Sequence, residues 1–332
     1  MKIMNKEKPL LICMTSTRNY AWCTRAFLEA NSTWADYIII VDQMSTDGTR
    51  EMIKEYPKAI IVDNPELSYS ETKRCELALD CARSIEGDKI LIYLAIDEVL
   101  SANWRTSDDW NTILHSKQGS VFYLRWANIM PDGKTYNKSN EDMFRVFHDD
   151  GITPFDNQGK DMHTHCLPYP NNGTDLNLYD IVVLHFANYN VVWNYVKRLY
   201  YQMVDYDKTG RSLISLDRYY SRALTKYEDF KFPKGECVLP SKWLYPEFDV
   251  VSLVDNSSRP TLCDNMLELI NKNGIDRYRH LNIWTPRICE YLSVNDPRSW
   301  SDKMIHFYLD KTYKHRNRKI VRVLDKLISL FI

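Results

Sequence analysis

The stretch VDQMSTDGT, residues 41–49, decides how the first half of the chain is read. It follows YIII at 37–40, an unbroken apolar run of the kind buried on both faces of a central parallel strand. Asp42 closes that strand. Ser45 or Thr46 is placed to cap a helix expected over about 46–56, with Asp47 in its first turn. An acidic residue ending a buried strand needs a partner, so Asp42 points to ligand contact rather than to a turn alone.

The same alternation extends in both directions from this stretch. LLICM at 10–14 runs into TSTRN at 15–19, and 21–30 has helical spacing. A second β-branched run spans 59–62. Residues 71–85 put Cys75, Ala78, Leu79 and Ala82 on one helical face, and KILIYL at 89–94 leads to Ala95-Ile96-Asp97-Glu98. Strand and helix in turn predict an α/β fold with a mostly parallel, Rossmann-like sheet flanked by helices. Such sheets bind ligands beyond the carboxyl ends of their strands. The polar clusters at 15–19, 42–49 and 97–98 all fall at predicted strand ends.

Beyond residue 100 the pattern changes. Strands are expected at 121–126 and 143–148, on either side of a turn at 131–133, and at 181–186. Helices are expected at 195–207, 264–273 and 301–313. The division that follows is a first domain over 1–205, with halves 1–105 and 106–205, and a mainly helical region over 206–332.

Composition excludes several classes. Lys and Arg number 43 against 44 Asp and Glu, which argues against a general nucleic-acid binder and its basic face. No apolar run approaches the length of a membrane span, and the N-terminus does not read as a signal peptide. The eight cysteines form no CxxC pair and no framework, so reduced thiols in a cytoplasmic protein are expected.

VDQMSTDGT at 41–49 followed by IDEVL at 96–100 resembles the nucleotide-binding half of the family 2 glycosyltransferases, which have the GT-A fold. The resemblance covers roughly 8–105 well and runs more loosely to about 190. It implies transfer of a sugar from a nucleoside-diphosphate sugar, a UDP-sugar by analogy, to a glycan or lipid-linked acceptor, with inversion and with Mn²⁺ or Mg²⁺. On the family's pattern Asp42 would contact the uracil, Thr15 and Asn19 would line the nucleotide pocket, and Lys73 and Arg74 would lie near the diphosphate. Asp97 would ligate the metal. Two departures stand out: Gln43 replaces the second acid of VDD, and Ala95 replaces the first acid of DaDE.

A carboxylate base must take the acceptor's proton in an inverting displacement. Phe147-His148-Asp149-Asp150-Gly151 offers two adjacent acids before Gly, with Asp150 the first choice and Asp149 the second; the alternatives are Glu141-Asp142, or an Asp-Gly turn with no chemistry. His185, in the apolar run VVLHF at 182–186, is either a late metal ligand or a hydrogen-bonded core residue. A structural zinc site on His148, His163, His165 and Cys166 is a further alternative without supporting spacing.

From a different class, Ala95 leaves open an inactive GT-A domain serving as a binding or scaffold subunit. A nucleotidyltransferase would need a Gly-rich loop after the first strand, and 15–19 has no Gly. Residues 319–332, KIVRVLDKLISLFI, read as a basic amphipathic helix. It either lies on an anionic membrane, which would make the protein peripheral on the inner face of the plasma membrane, or packs its apolar side on the body.

Overall fold

The computed structural model describes residues 8–66, 68, 70–156, 165–220, 235–255 and 261–329. The chain forms two compact units, residues 1–189 with 233–256, and 190–232 with 257–332. The expected boundary at 205 therefore moves to 190. Asn190 caps the helix α5 (Val191–Thr209) by accepting from Trp193 N, and that whole helix belongs to the second unit. The segment 233–256 returns to the first unit, where Tyr245 donates its hydroxyl to the Leu100 carbonyl at 2.7 Å.

Among its described residues the first unit is a mixed α/β fold with a Rossmann-like core. Its strands are β1 (Leu10–Thr17), β2 (Tyr37–Asp42), β3 (Ala59–Asp63), β4 (Lys89–Tyr93), β5 (Glu98–Leu100), β6 (Ser120–Ile129), β7 (Thr135–His148), β8 (Thr174–His185) and β9 (Cys237–Val238). They make one sheet in the order β3-β2-β1-β4-β7-β6-β8-β5, with β9 paired to β7. The first four strands are parallel. β7 then enters antiparallel to β4, with Ile90 opposite His148 and Ile92 opposite Val146. β6 is antiparallel to β7, and β8 parallel to β6. Two reversals thus return β6 and β8 to the direction of β1, β2 and β4.

Helices α1 (Ala21–Ser32), α2 (Thr49–Lys54) and α3 (Glu71–Ser84) connect the parallel strands, and α4 (Asp108–Leu114) lies between β5 and β6. α3 starts where Ser70 accepts from Lys73 N. Its buried Cys75, Ala78, Leu79 and Ala82 pack with Ile12, Met14, Ile39, Val41 and Leu91 of the sheet. The periodic signal in the sequence and the observed helix coincide here because burial chose one face. α2 is shorter than expected: Gly48, at φ +93°, precedes it, and the chain at 46–48 is a turn. Only glycine adopts that backbone readily, so the helix cannot extend back to Thr46.

Cys75 and Cys166, 91 positions apart in sequence, form a disulfide with Cα atoms 5.0 Å apart. The expectation of eight reduced thiols fails at this pair. The pairing arises only once α3 lies against the chain after β7.

The second unit is helical. Besides α5 it contains α6 (Leu213–Tyr220), α7 (Leu262–Asn273), α8 (Ile275–Tyr278), α9 (Pro286–Leu292), α10 (Trp300–Thr312) and α11 (Lys319–Ile328). Among the described residues no helix is long and apolar enough to cross a membrane.

Candidate functional site at the carboxyl edge of the sheet

The loops after β1 and β2 are stitched together. Asn19 N donates to Ser45 Oγ at 2.8 Å, and Thr46 N donates to Asn19 Oδ1 at 2.7 Å. Ala21 N donates to Asp47 Oδ2 and Tyr20 N to Thr49 Oγ1. Ser45, Thr46 and Asp47 are therefore staples between two loops rather than helix caps. Asn19 and Met44, at φ 60° and 56°, are non-glycine residues in the left-handed region, one in each loop. Such backbone is held only where the surroundings over-determine it, and it clusters at functional loops.

Asp42 is fully buried at the end of β2, opposite Thr17 in register. Its Oδ2 accepts from Ser45 N at 3.1 Å and from Arg50 at 2.7 Å. Its Oδ1 is buried with no hydrogen-bond partner among the described residues. Arg50 also reaches Asp63 at 2.8 Å, and these two carboxylates hold its proton more tightly than usual. Arg50 is the counter-ion that an acid closing a buried strand requires, and its position past Gly48 carried no signal in the sequence.

Thr15 is buried within β1, and its hydroxyl has no partner among the described residues. Gln43, where the resemblance has a second acid, is a clamp: its amide donates to the Glu66 and Ser68 carbonyls, and its carbonyl accepts from Arg74. Arg74 is thus tied to the end of β2, while Lys73 beside it is exposed in the first turn of α3.

Asp97 lies after β4, at the same edge, two strand spacings or roughly 10 Å across the sheet from the end of β2. β5 pairs antiparallel with β8, placing Glu98 opposite His185, and Phe186 N donates to the Asp97 carbonyl at 2.9 Å. This pairing brings His185 to Asp97, 88 positions earlier in sequence. His185 Nε2 stands 3.8 Å from Asp97 Oδ2. Its other ring nitrogen, Nδ1, lies 2.8 Å from Asn128 Oδ1, which fixes the ring with Nε2 turned toward Asp97. Trp126 stacks on the imidazole at 4.7 Å, and Arg145 lies over Trp126 at 5.3 Å. Arg145 also pairs with buried Glu98 at 2.9 Å, and Glu98 accepts from Ala95 N. Ala95 is therefore held through its backbone. Trp126, Asn128 and Arg145 were not singled out from sequence, because only the order of β7, β6 and β8 carries them here.

The acids expected as the catalytic base are elsewhere. Antiparallel β7 delivers its carboxyl end to the amino end of β4, where Asp149 N donates to the Lys89 carbonyl at 3.0 Å. Asp149 is buried and paired with Arg83 at 2.8 Å. Asp150 accepts from Ile152 N, Thr153 N and the Thr153 hydroxyl. Burial pushes its carboxyl up, but those bonds and Arg83 outweigh it and hold it below the usual range. Both sit at the opposite edge from Asp42 and Asp97, so the base role does not follow for either. Of the other acids considered, Asp142 pairs with Arg125 at 2.7 Å and Glu141 is exposed.

The zinc alternative is not supported either. His148 is buried between Ser116 and Asp88, Cys166 is in the disulfide, and His163 lies outside the described residues. Among the described residues no group of three or more metal-ligating side chains comes together. Asp97 and His185 are two such donors, not three.

No family model matches the sequence, nor does any curated protein sequence. Among solved structures, similarity is found to the inositol-1-phosphate CTP transferase from T. maritima, at 7% identity and a TM-score of 0.33, over 53% of this chain and 89% of that one. A 4-diphosphocytidyl-2C-methyl-D-erythritol synthase is similar over 42% of this chain and 75% of its own, at 9% identity and a TM-score of 0.27. At these scores neither likeness bears on the chemistry of the site.

Proposed function

We propose that the first unit is a metal-dependent glycosyltransferase of GT-A type. It would move a sugar from a nucleoside-diphosphate sugar, with UDP as the nucleotide, to a glycan or lipid-linked acceptor. The observation that carries this reading is the Asp97–His185 pair, 3.8 Å apart at the carboxyl edge that also bears Asp42. A carboxylate oxygen and an imidazole nitrogen set side by side are donor types that suit a divalent cation such as Mn²⁺ or Mg²⁺, with nucleotide phosphates completing the shell. When bound, that cation supplies neutralisation of the charge that develops on the departing diphosphate.

The chain's own residues bind and orient the donor. Asp42 Oδ1, buried and without a partner among the described residues, is an acceptor for a base N–H, and the stapled loops at 19–21 and 45–49 hold its surroundings rigid. Lys73 and Arg74 in the first turn of α3 are the cations for the diphosphate. Glu98 and Arg145 keep the loop carrying Asp97 in place.

A second reading, a GT-A domain that binds without turnover, is favoured by Ala95 alone. Thermal shift with UDP and Mn²⁺, followed by a sugar-nucleotide screen for metal-dependent hydrolysis, separates the two. The catalytic reading expects stabilisation by UDP with Mn²⁺, loss of that gain in Asp97→Asn, and slow hydrolysis of one donor. Stabilisation without hydrolysis or transfer for any donor would favour the binding domain; no stabilisation of the unaltered protein would sink both.

A further inference from the structure

Two helices of the second unit turn apolar residues outward. α10 buries Asp302, His306 and Leu309, while Trp300, Met304 and Phe307, on its opposite side, are 78%, 45% and 58% exposed. α11 is anchored by a strip of a different kind. Val321 is buried, and Asp325 is gripped by Arg218 at 2.8 Å and by the Tyr308 hydroxyl at 3.0 Å. With that strip turned inward, Ile320, Val323, Leu324 and Leu327 stay 69%, 49%, 41% and 51% exposed. The aliphatic face of α11 is therefore not the face packed on the unit.

Charge says what could cover it. Residues 311–329 hold seven Lys and Arg (Lys311, Lys314, Arg316, Arg318, Lys319, Arg322 and Lys326) and one acid, Asp325, which is already paired. All seven cations are exposed. A protein partner would be expected to meet aliphatic side chains with its own apolar patch. By helical spacing Lys319, Arg322 and Lys326 line one flank of that aliphatic strip, and a cationic flank beside aliphatic side chains asks instead for a dense anionic plane over a hydrocarbon layer. α11 is ten residues long, about 15 Å, and far too short to span a bilayer. It has the make-up of a helix that lies in the interface with its apolar side dipped among the acyl chains.

We propose that α10 and α11 form a docking surface for an anionic lipid bilayer. Ile320, Val323, Leu324 and Leu327 enter the interface, Trp300 and Phe307 supply aromatic contacts at headgroup depth, and the cations meet lipid phosphate and carboxylate. This rests on the second unit alone and does not depend on the glycosyltransferase reading.

The test is co-sedimentation of the full chain with phosphatidylcholine vesicles, with and without phosphatidylserine, over a salt series. Binding is expected to the phosphatidylserine vesicles, to be weak on phosphatidylcholine alone, and to fall as salt shortens the screening length. Arg318→Glu with Arg322→Glu should lower partitioning by about tenfold or more. Leu324→Asp with Leu327→Asp should lower it at least as far; both residues are exposed, so an unchanged thermal midpoint will show that the fold is intact. Absence of binding, or equal binding to both vesicle types, overturns the proposal. So does a lipid-free dimer that Leu324→Asp converts to monomer, because the face would then be covered by a second copy.

Discussion

Replacing Asp217 by Asn should stabilise the second unit at and above neutral pH, by an amount that shrinks as the solution is acidified. Asp217 is on α6, 2% exposed, beside a small cavity lined also by Leu213, Ile305, His280, Asp302 and His306. Burial pushes its carboxyl up to about 7; Asn282 and Arg218 oppose that rise, and Asp310 and Asp325 add to it. Nearby His306 is held down to about 4, chiefly by its own burial, so it offers no cation at neutral pH. The unfolded carboxyl titrates near 3.9, so the folded group is displaced upward by about three units, or about 4 kcal/mol. A folded pKa raised above the unfolded one gives stability that is fully present below about pH 4, falls as pH rises to about 7, and is flat beyond. Asn cannot ionise and keeps the shape of the protonated acid. The stability difference between Asp217→Asn and the unaltered protein should therefore widen by about 2.5 kcal/mol between pH 5 and pH 8. Urea midpoints of both proteins at several pH values measure it, and the remaining carboxylates cancel in the difference. A difference that stays constant over that range would mean Asp217 ionises in the folded chain as it does in the unfolded one, and the reasoning would be wrong.

Arg145→Met should destabilise the first unit by about 3–5 kcal/mol, since it strands buried Glu98 without its counter-ion. Adding Glu98→Gln should restore most of that loss, as read by urea unfolding of the single and double variants. Asp150→Ala should cost about 1 kcal/mol through its turn hydrogen bonds while leaving the UDP and Mn²⁺ thermal shift unchanged, because Asp150 lies at the far edge of the sheet. A lost nucleotide response there would return Asp150 to the site.

What could be read from sequence was whatever a local period or a strand end expresses. β2 showed itself because a central parallel strand is buried on both faces, and α3 because four residues at helical spacing had to face the sheet. Asp42 and Asp97 were legible because both end parallel strands, and the carboxyl edge follows from that. Asp149 and Asp150 end a strand too, but β7 runs the other way. Strand direction is a property of the assembled sheet, and nothing within 143–150 states it. Trp126, Asn128 and Arg145 carried no signal for the same reason: Trp126 and Asn128 meet His185, and Arg145 meets Trp126, only through the order β7-β6-β8. The partnership of Cys75 with Cys166 was likewise beyond any short-range pattern.

α11 shows the converse, a segment whose local pattern was plain and whose orientation was not. Ile320, Val323, Leu324 and Leu327 would face inward if α11 packed on the unit by its apolar side, one of the two readings its pattern allowed. The structure instead turns Val321 and Asp325 inward. Asp325 finds Arg218, whose guanidinium also donates to the Leu309 carbonyl and the Thr312 hydroxyl. Both side chains of that ion pair are less than one-fifth exposed, so the pair is worth more than a surface one, and losing either partner would leave the other charge largely buried. A bidentate grip on one acid orients this ten-residue helix, and its aliphatic residues stay exposed. The apolar face is left outward by the placement of a single carboxylate. Asp325→Ala is then the substitution that should free α11 to rotate, bury Leu324 and Leu327, and weaken vesicle binding without touching any residue proposed to meet lipid.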